Sequence, residues 1–214
     1  VRLKEARIER LVEHNGFSFH RINIADFDTM CDLMKSATGI SKIVHLAAQA
    51  GVRYSIENPF AYVQANLVGH MTMLEIARHQ ASLEHFVYAS SSSVYGGNTE
   101  LPFSVDDPTD TPISLYAATK KSDELMSHCY SHLYRIPQTG LRFFSVYGPW
   151  GRPDMAMYIF CKAIVAGDPI PVFNDGDMRR DFTYIDDIVR GVLAALDKPP
   201  VVNQGAVPCR LYNI

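Results

Sequence analysis

The chain has 214 residues, 47% hydrophobic and 20% charged, with a formal net charge of -3; this suffices for one sizeable core and is ordinary for a globular protein. No basic block is long enough to track phosphates, which argues against a nucleic-acid or anionic-membrane surface and for a small-molecule partner. Cys31, Cys129, Cys161 and Cys209 lack CxxC spacing, so free thiols in a reducing, cytoplasmic setting are expected, with neither zinc nor a disulfide framework. No apolar run approaches the roughly 20 residues that cross a bilayer.

In chain order, residues 2–14 read as an amphipathic helix, with Leu3, Ile8, Leu11 and Val12 as its apolar stripe. Alternation over 17–24 predicts a strand, followed by a helix over 26–35 with Asp26 as N-cap. A strand at 42–47, a helix at about 59–80 and an apolar strand at 84–90 continue a βαβ rhythm. A helix around Tyr116, a strand at 138–145, a helical run at 188–196 and a strand at 211–214 complete it. The expected fold is α/β, a doubly wound, Rossmann-like parallel sheet. The expected organisation is a main domain over 1–150 and a small substrate lobe over 151–214, from which 182–196 can return to the main domain.

A sheet of this class binds a dinucleotide at a glycine-rich turn between its first strand and first helix. The first glycine here, Gly16, belongs instead to a helix-to-strand turn. The sequence therefore reads as the interior of a longer enzyme, with the first strand, the phosphate loop and the acidic ribose ligand expected outside it.

The chemistry centres on Tyr116-Ala117-Ala118-Thr119-Lys120. Residues four apart share a helix face, so a phenol and an ammonium point the same way. A fixed cation favours the phenolate over the phenol, which would let Tyr116 act as a base. Alone, a YxxxK spacing is a common surface pattern. Here it follows a serine run, Ser90-Ser91-Ser92-Ser93-Val94-Tyr95-Gly96, at the end of an apolar strand, where open parallel sheets gather their ligands. His128 and His132 lie four apart on the same helix, but no HExxH glutamate accompanies them, and no metal site is expected.

With these residues the sequence resembles the extended short-chain dehydrogenase/reductases that act on nucleotide sugars. The stretches His45-Leu46-Ala47-Ala48-Gln49-Ala50-Gly51-Val52-Arg53-Tyr54-Ser55 and 141–155, Leu-Arg-Phe-Phe-Ser-Val-Tyr-Gly-Pro-Trp-Gly-Arg-Pro-Asp-Met, look more specifically like UDP-glucuronate 4-epimerases. The resemblance runs from about Phe17 to Ile214. It implies NAD as cofactor, a UDP-sugar as substrate and a homodimer built on the Tyr116 helix and the helix before it.

The same resemblance assigns Ser91, Tyr116 and Lys120 to catalysis, Tyr116 and Lys120 also lying at the cofactor. Asn23 and Ile24 would meet the adenine, with Asp26 competing. Leu46, Ala47 and Ala48 would let the cofactor approach the backbone, with Asn66 and Phe143 beside it. Ser92, Ser93 and Arg152 would take a substrate carboxylate, for which a planar guanidinium is well suited. Ser145 would touch the sugar, and Arg180, or its neighbour Arg179, the UDP phosphates.

The implied reaction is 4-epimerisation of UDP-glucuronate to UDP-galacturonate through a transient 4-keto sugar. UDP-glucuronate decarboxylation and neutral UDP-sugar 4-epimerisation are the rivals on the same scaffold. A 4,6-dehydratase is less consistent, because its Asp-Glu pair is replaced by Ser92-Ser93. A catalytically silent binding protein is the rival of another class.

Overall fold

In a computed structural model, residues 2–172, 174–201 and 205–214 are described. The elements in order are α1 (Arg2–Leu11), α2 (Phe27–Ser36), β1 (Lys42–His45), α3 (Tyr54–Glu57), α4 (Pro59–Tyr62), a π-helical segment (Val63–Val68) and α5 (Gly69–Arg78). There follow β2 (His85–Ser91), a 3-10 turn (Ser92–Tyr95), α6 (Leu115–Tyr134), β3 (Gln138–Phe143), β4 (Ser145–Tyr147), α7 (Ala156–Ala166), a second 3-10 turn (Asn174–Gly176), β5 (Phe182–Tyr184), α8 (Ile185–Leu196) and β6 (Cys209–Asn213).

The described residues form two compact units. The larger comprises Ile22–Phe143 and Arg190–Ile214. Its sheet is parallel throughout, in the order β1-β2-β3-β6, the α/β arrangement expected of a Rossmann-like fold. Strand β2, His-Phe-Val-Tyr-Ala-Ser-Ser, is buried on both faces, as a nearly unbroken apolar run predicts for a central parallel strand. Met30, Met73, Leu74, Ile76, Ala77, Phe86, Tyr88 and Ile136 make its core, with Ile22, Ile24 and Leu211 packed against them. Asp26 caps α2 as expected, its carboxylate accepting from the Thr29 amide at 3.2 Å and the Thr29 hydroxyl at 2.7 Å.

The smaller unit holds the segment up to Arg21 and Phe144–Val189. In it β4 and β5 form a two-stranded parallel sheet. Helix α1 is tied to the loop after β4: the Arg7 guanidinium donates to the Trp150 carbonyl, and Arg10 lies 5.1 Å over the Trp150 ring. The divide thus falls at residue 143/144, and α8 is shared between the units, whereas sequence reading drew it at 150/151 with 182–196 as the returning segment.

Three sequence expectations change. No strand forms over 17–24, and Phe17 and Phe19 are exposed; alternation marks a segment able to pair, but a strand exists only with a hydrogen-bonded neighbour. The single strand expected at 138–145 is two strands, β3 and β4, belonging to different sheets. The helix expected at 59–80 contains the π-helical segment, which widens one turn around Asn66.

Candidate active site

The carboxyl ends of β1, β2 and β3 lie side by side in the larger unit, and the register sets Ser91 opposite Phe143. Ser91 ends β2 and is nearly buried; its Oγ accepts from the Ser93 amide at 3.2 Å, so the catalytic candidate also caps the 3-10 turn that carries Ser92 and Ser93. The turn closes at Gly96, with φ +59°. A Cβ there would stand 2.5 Å from the Thr111 carbonyl oxygen, so only glycine fits. Four serines in a row are therefore an ordered strand end and turn.

Tyr116 lies in the first turn of α6, whose N-cap Ser114 accepts from the Ala117 amide at 3.1 Å. Its ring is met edge-on by Tyr62 at 6.1 Å between centroids. Tyr62 is fully buried and its hydroxyl donates to the Ala50 carbonyl at 3.1 Å, which holds the loop after β1. One turn beyond Tyr116, Lys120 is 3% exposed, and its Nζ donates to the Ala89 carbonyl on β2 at 3.0 Å and to Asp123 Oδ2 at 3.1 Å. The lysine charge is thus held between the serine strand and its own helix.

Asn66 shows what the π-helical turn does. Its Oδ1 accepts from the Gln49 amide at 2.8 Å, and its Nδ2 donates to the Gln49 carbonyl at 3.1 Å and to Thr119 Oγ1 at 2.9 Å. One buried side chain thereby fastens the loop after β1 to the residue beside Lys120. Ala47 and Ala48, in that loop, are exposed. Asn23 is exposed and its Oδ1 accepts from the Ala25 amide at 3.1 Å, while the Ile24 side chain packs into the core beside Gly69.

Behind Lys120 lie two buried histidines, His45 and His70, with ring centroids 5.3 Å apart. Burial, reinforced by the Lys120 charge, pushes His45 down to about 4. Burial likewise holds His70 well below its ordinary value, with His45 and Lys120 adding to the effect; its Nε2 is 2.8 Å from Ser127 Oγ. Both rings are neutral at physiological pH.

Sequence reading overlooked a buried polar network beside the serines. Arg142 grips Glu124 in a two-pronged pair, Nε to Oε1 at 2.8 Å and Nη2 to Oε2 at 3.0 Å. Ser90 donates to the same carboxylate at 2.6 Å, Arg142 Nη1 donates to Tyr95 Oη at 2.9 Å, and Tyr95 donates to Asn213 Oδ1 at 2.6 Å. The signal was present: Arg142 is a charge inside an apolar strand, and Glu124 lies four residues after Lys120 on the buried face of α6.

The remaining candidates, Ser145, Arg152 and Arg180, lie in the smaller unit. The Ser145 amide donates to the Asp181 carbonyl at 3.1 Å, joining the starts of β4 and β5. Arg152 is exposed and its guanidinium is forked onto Asp154, with Nε to Oδ1 at 3.0 Å. Arg180 is exposed and donates to the Arg179 carbonyl at 2.8 Å.

The NAD-dependent epimerase/dehydratase family model matches residues 2–214. The chain belongs to this family. It is 51% identical to protein CapI of Staphylococcus aureus, over 100% of this chain and 66% of that one. It is 50% identical to a probable UDP-glucuronate 4-epimerase of Rhizobium meliloti strain 1021, over 97% of this chain and 60% of that one. The structure of UDP-glucuronic acid 4-epimerase from Bacillus cereus, in complex with UDP-glucuronic acid and NAD, superposes with a TM-score of 0.88 at 37% identity, covering 100% of this chain and 64% of that one. The chain thus spans between 60% and 66% of the length of these relatives.

The residues present fit the nicotinamide end of the family's cofactor. The small, exposed side chains of Ala47 and Ala48, in the loop after β1, leave room beside the backbone, and a buried ammonium and a phenol lie one turn apart on α6.

Proposed function

We propose that the full-length protein interconverts UDP-glucuronate and UDP-galacturonate by NAD-dependent 4-epimerisation. The observation that carries this reading is the buried Lys120 ammonium pinned to the end of the serine strand, one helical turn from Tyr116. Relatives that bear the name UDP-glucuronate 4-epimerase support it.

Tyr116 removes the proton from the sugar C4 hydroxyl and Ser91 steadies that oxygen by a hydrogen bond, with the Lys120 ammonium one helical turn from the phenol. Bound NAD would take the C4 hydride and return it to the opposite face of the turned 4-keto sugar. Leu46, Ala47, Ala48, Asn66 and Phe143 border the cofactor, and Asn23 and Ile24 its adenine. Arg180 or Arg179 neutralises the UDP phosphates, and Ser145 contacts the sugar. Ser92, Ser93 and Arg152 take the carboxylate, which holds a β-keto acid against loss of carbon dioxide. Because Arg152 is already forked onto Asp154, binding would exchange one carboxylate for another. Leu125 and Leu133, exposed on the outer face of α6 at 60% and 59%, suit burial against a second copy in a homodimer. The expected compartment is the cytoplasm.

Incubating the full-length protein with UDP-glucuronate and resolving the products by NMR is the test. UDP-galacturonate should form, and Tyr116→Phe should lower the rate by about 10²–10⁴-fold. Carbon dioxide with a UDP-pentose would replace this reading by the decarboxylase.

A further inference from the structure

Asp123 is used by no step above, yet it lies deeper than any proposed catalytic group. It is 1% exposed, its Oδ2 accepts from Lys120 Nζ at 3.1 Å, and its Oδ1 is buried with no hydrogen-bond partner among the described residues. A carboxylate buried with one ammonium partner and one unsatisfied oxygen costs stability, because the single ion pair does not fully offset the loss of hydration. We infer that Asp123 is a positioning residue whose carboxylate clamps Lys120 against the Ala89 carbonyl, so that the charge on Asp123 sets how much of the lysine charge reaches Tyr116. This deepens the epimerase reading and rests on it.

The surroundings make that charge switchable. Burial is the main cause that pushes Asp123 up to about 7, with Lys120 opposing and Glu124 adding to it. The groups that face it are Lys120 and Glu124 on α6, His70 on α5, Tyr88 on β2 and, beyond Lys120, His45 on β1. The two histidines stay neutral and Tyr88 is held in its phenol form by burial, while Glu124 is occupied by Arg142. Asp123 is therefore the group of this set that changes charge near neutrality. Above that point the carboxylate shares the lysine charge; below it the ammonium keeps the Ala89 carbonyl alone and faces Tyr116 uncompensated.

The test uses the full-length protein loaded with NAD, labelled with 13C at the aspartate side-chain carboxyls. The resonance lost in Asp123→Asn should titrate near pH 7 in the wild type. It should move to higher pH in Lys120→Met, where the ammonium is gone. Titration near the ordinary aspartate value of about 4 overturns the inference. The rate of sugar turnover against pH gives the second readout. The wild-type profile should show an inflection near 7 that Asp123→Asn lacks, the amide variant behaving at every pH as the wild type does on its acid side. Asp123→Glu should restore an inflection. If the inflection near 7 survives unchanged in Asp123→Asn, it belongs to another group such as the base Tyr116, and the positioning role is overturned even in an active enzyme. The carboxyl titration needs no substrate, so a protein that titrates as expected yet makes no UDP-galacturonate refutes the functional reading alone.

Discussion

Helices α6 and α7 invert the usual relation between composition and burial. Helix α6 is mixed in composition, yet it buries Thr119, Lys120, Asp123, Glu124, Ser127 and Ser131 along with Ala117. Helix α7, Ala-Met-Tyr-Ile-Phe-Cys-Lys-Ala-Ile-Val-Ala, is apolar on most sides and buries nothing among the described residues; Val165 is 89% exposed. Burial follows from the elements packed against a helix. Helix α6 is packed against β2, β3, β6 and α5, and its polar groups are accepted there because nearly every one has a partner: Lys120 with Ala89, Glu124 with Arg142, Ser131 with the Ile136 carbonyl at 2.8 Å.

The largest effect that would break this comparison is at the Glu124–Arg142 pair. Arg142→Met takes the two-pronged hydrogen-bonded partner from buried Glu124, leaves it as ion pair only the longer one to Lys121 at 3.6 Å, and should cost about 3–5 kcal/mol of unfolding free energy. Urea denaturation at neutral pH checks it, and a loss below about 1 kcal/mol would mean that α6 tolerates unpaired charge.

A somewhat smaller effect lies in the pH dependence. His45 is depressed in the fold, so between pH 6.5 and about 4 the unfolded chain binds a proton that the folded chain refuses. Its contribution is fully present above pH 6.5 and is lost as pH falls, by about 3 kcal/mol. Asp123 has the opposite sign. Its raised value lets the folded chain bind the extra proton between about 7 and the ordinary 3.8, which favours the fold as pH falls. The two partly cancel in the wild type. In Asp123→Asn the histidine loss should appear uncovered, so denaturation curves at pH 4 to 8 should fall more steeply toward acid than those of the wild type. Parallel profiles would remove Asp123 from the account.

The smallest effect is expected on α7. Val165→Lys exchanges a side chain already in contact with solvent and should change stability by less than about 0.5 kcal/mol. A loss of several kcal/mol in the full-length protein would show that this face is covered there.

Local signals were legible wherever chemistry and backbone rules coincide. Asp26 capped its helix, and the Tyr116 and Lys120 spacing falls on one helix. The serine run lay where the apolar strand ended. What was hidden is long-range: Glu124 and Arg142 are 18 residues apart, Asn66 and Thr119 are 53 apart, and neither pair has a sequence period that announces the other. The π-helical turn was hidden for a related reason, since residues 63–68 fell inside a helix expected over about 59–80 and the widening serves a partner elsewhere.

By itself the sequence determined the βαβ order and the phenol and ammonium one turn apart, because these depend on local periodicity; the first strand stops at His45, short of the expected 47, so that Ala47 and Ala48 fall in the loop after it. Tertiary structure alone decided that Lys120 is buried and shared between Ala89 and Asp123, that residues 17–24 form no strand, and that the 138–145 run divides between two sheets. Each of those outcomes depends on which backbone or charge lies opposite, and that is set by the packing of distant segments.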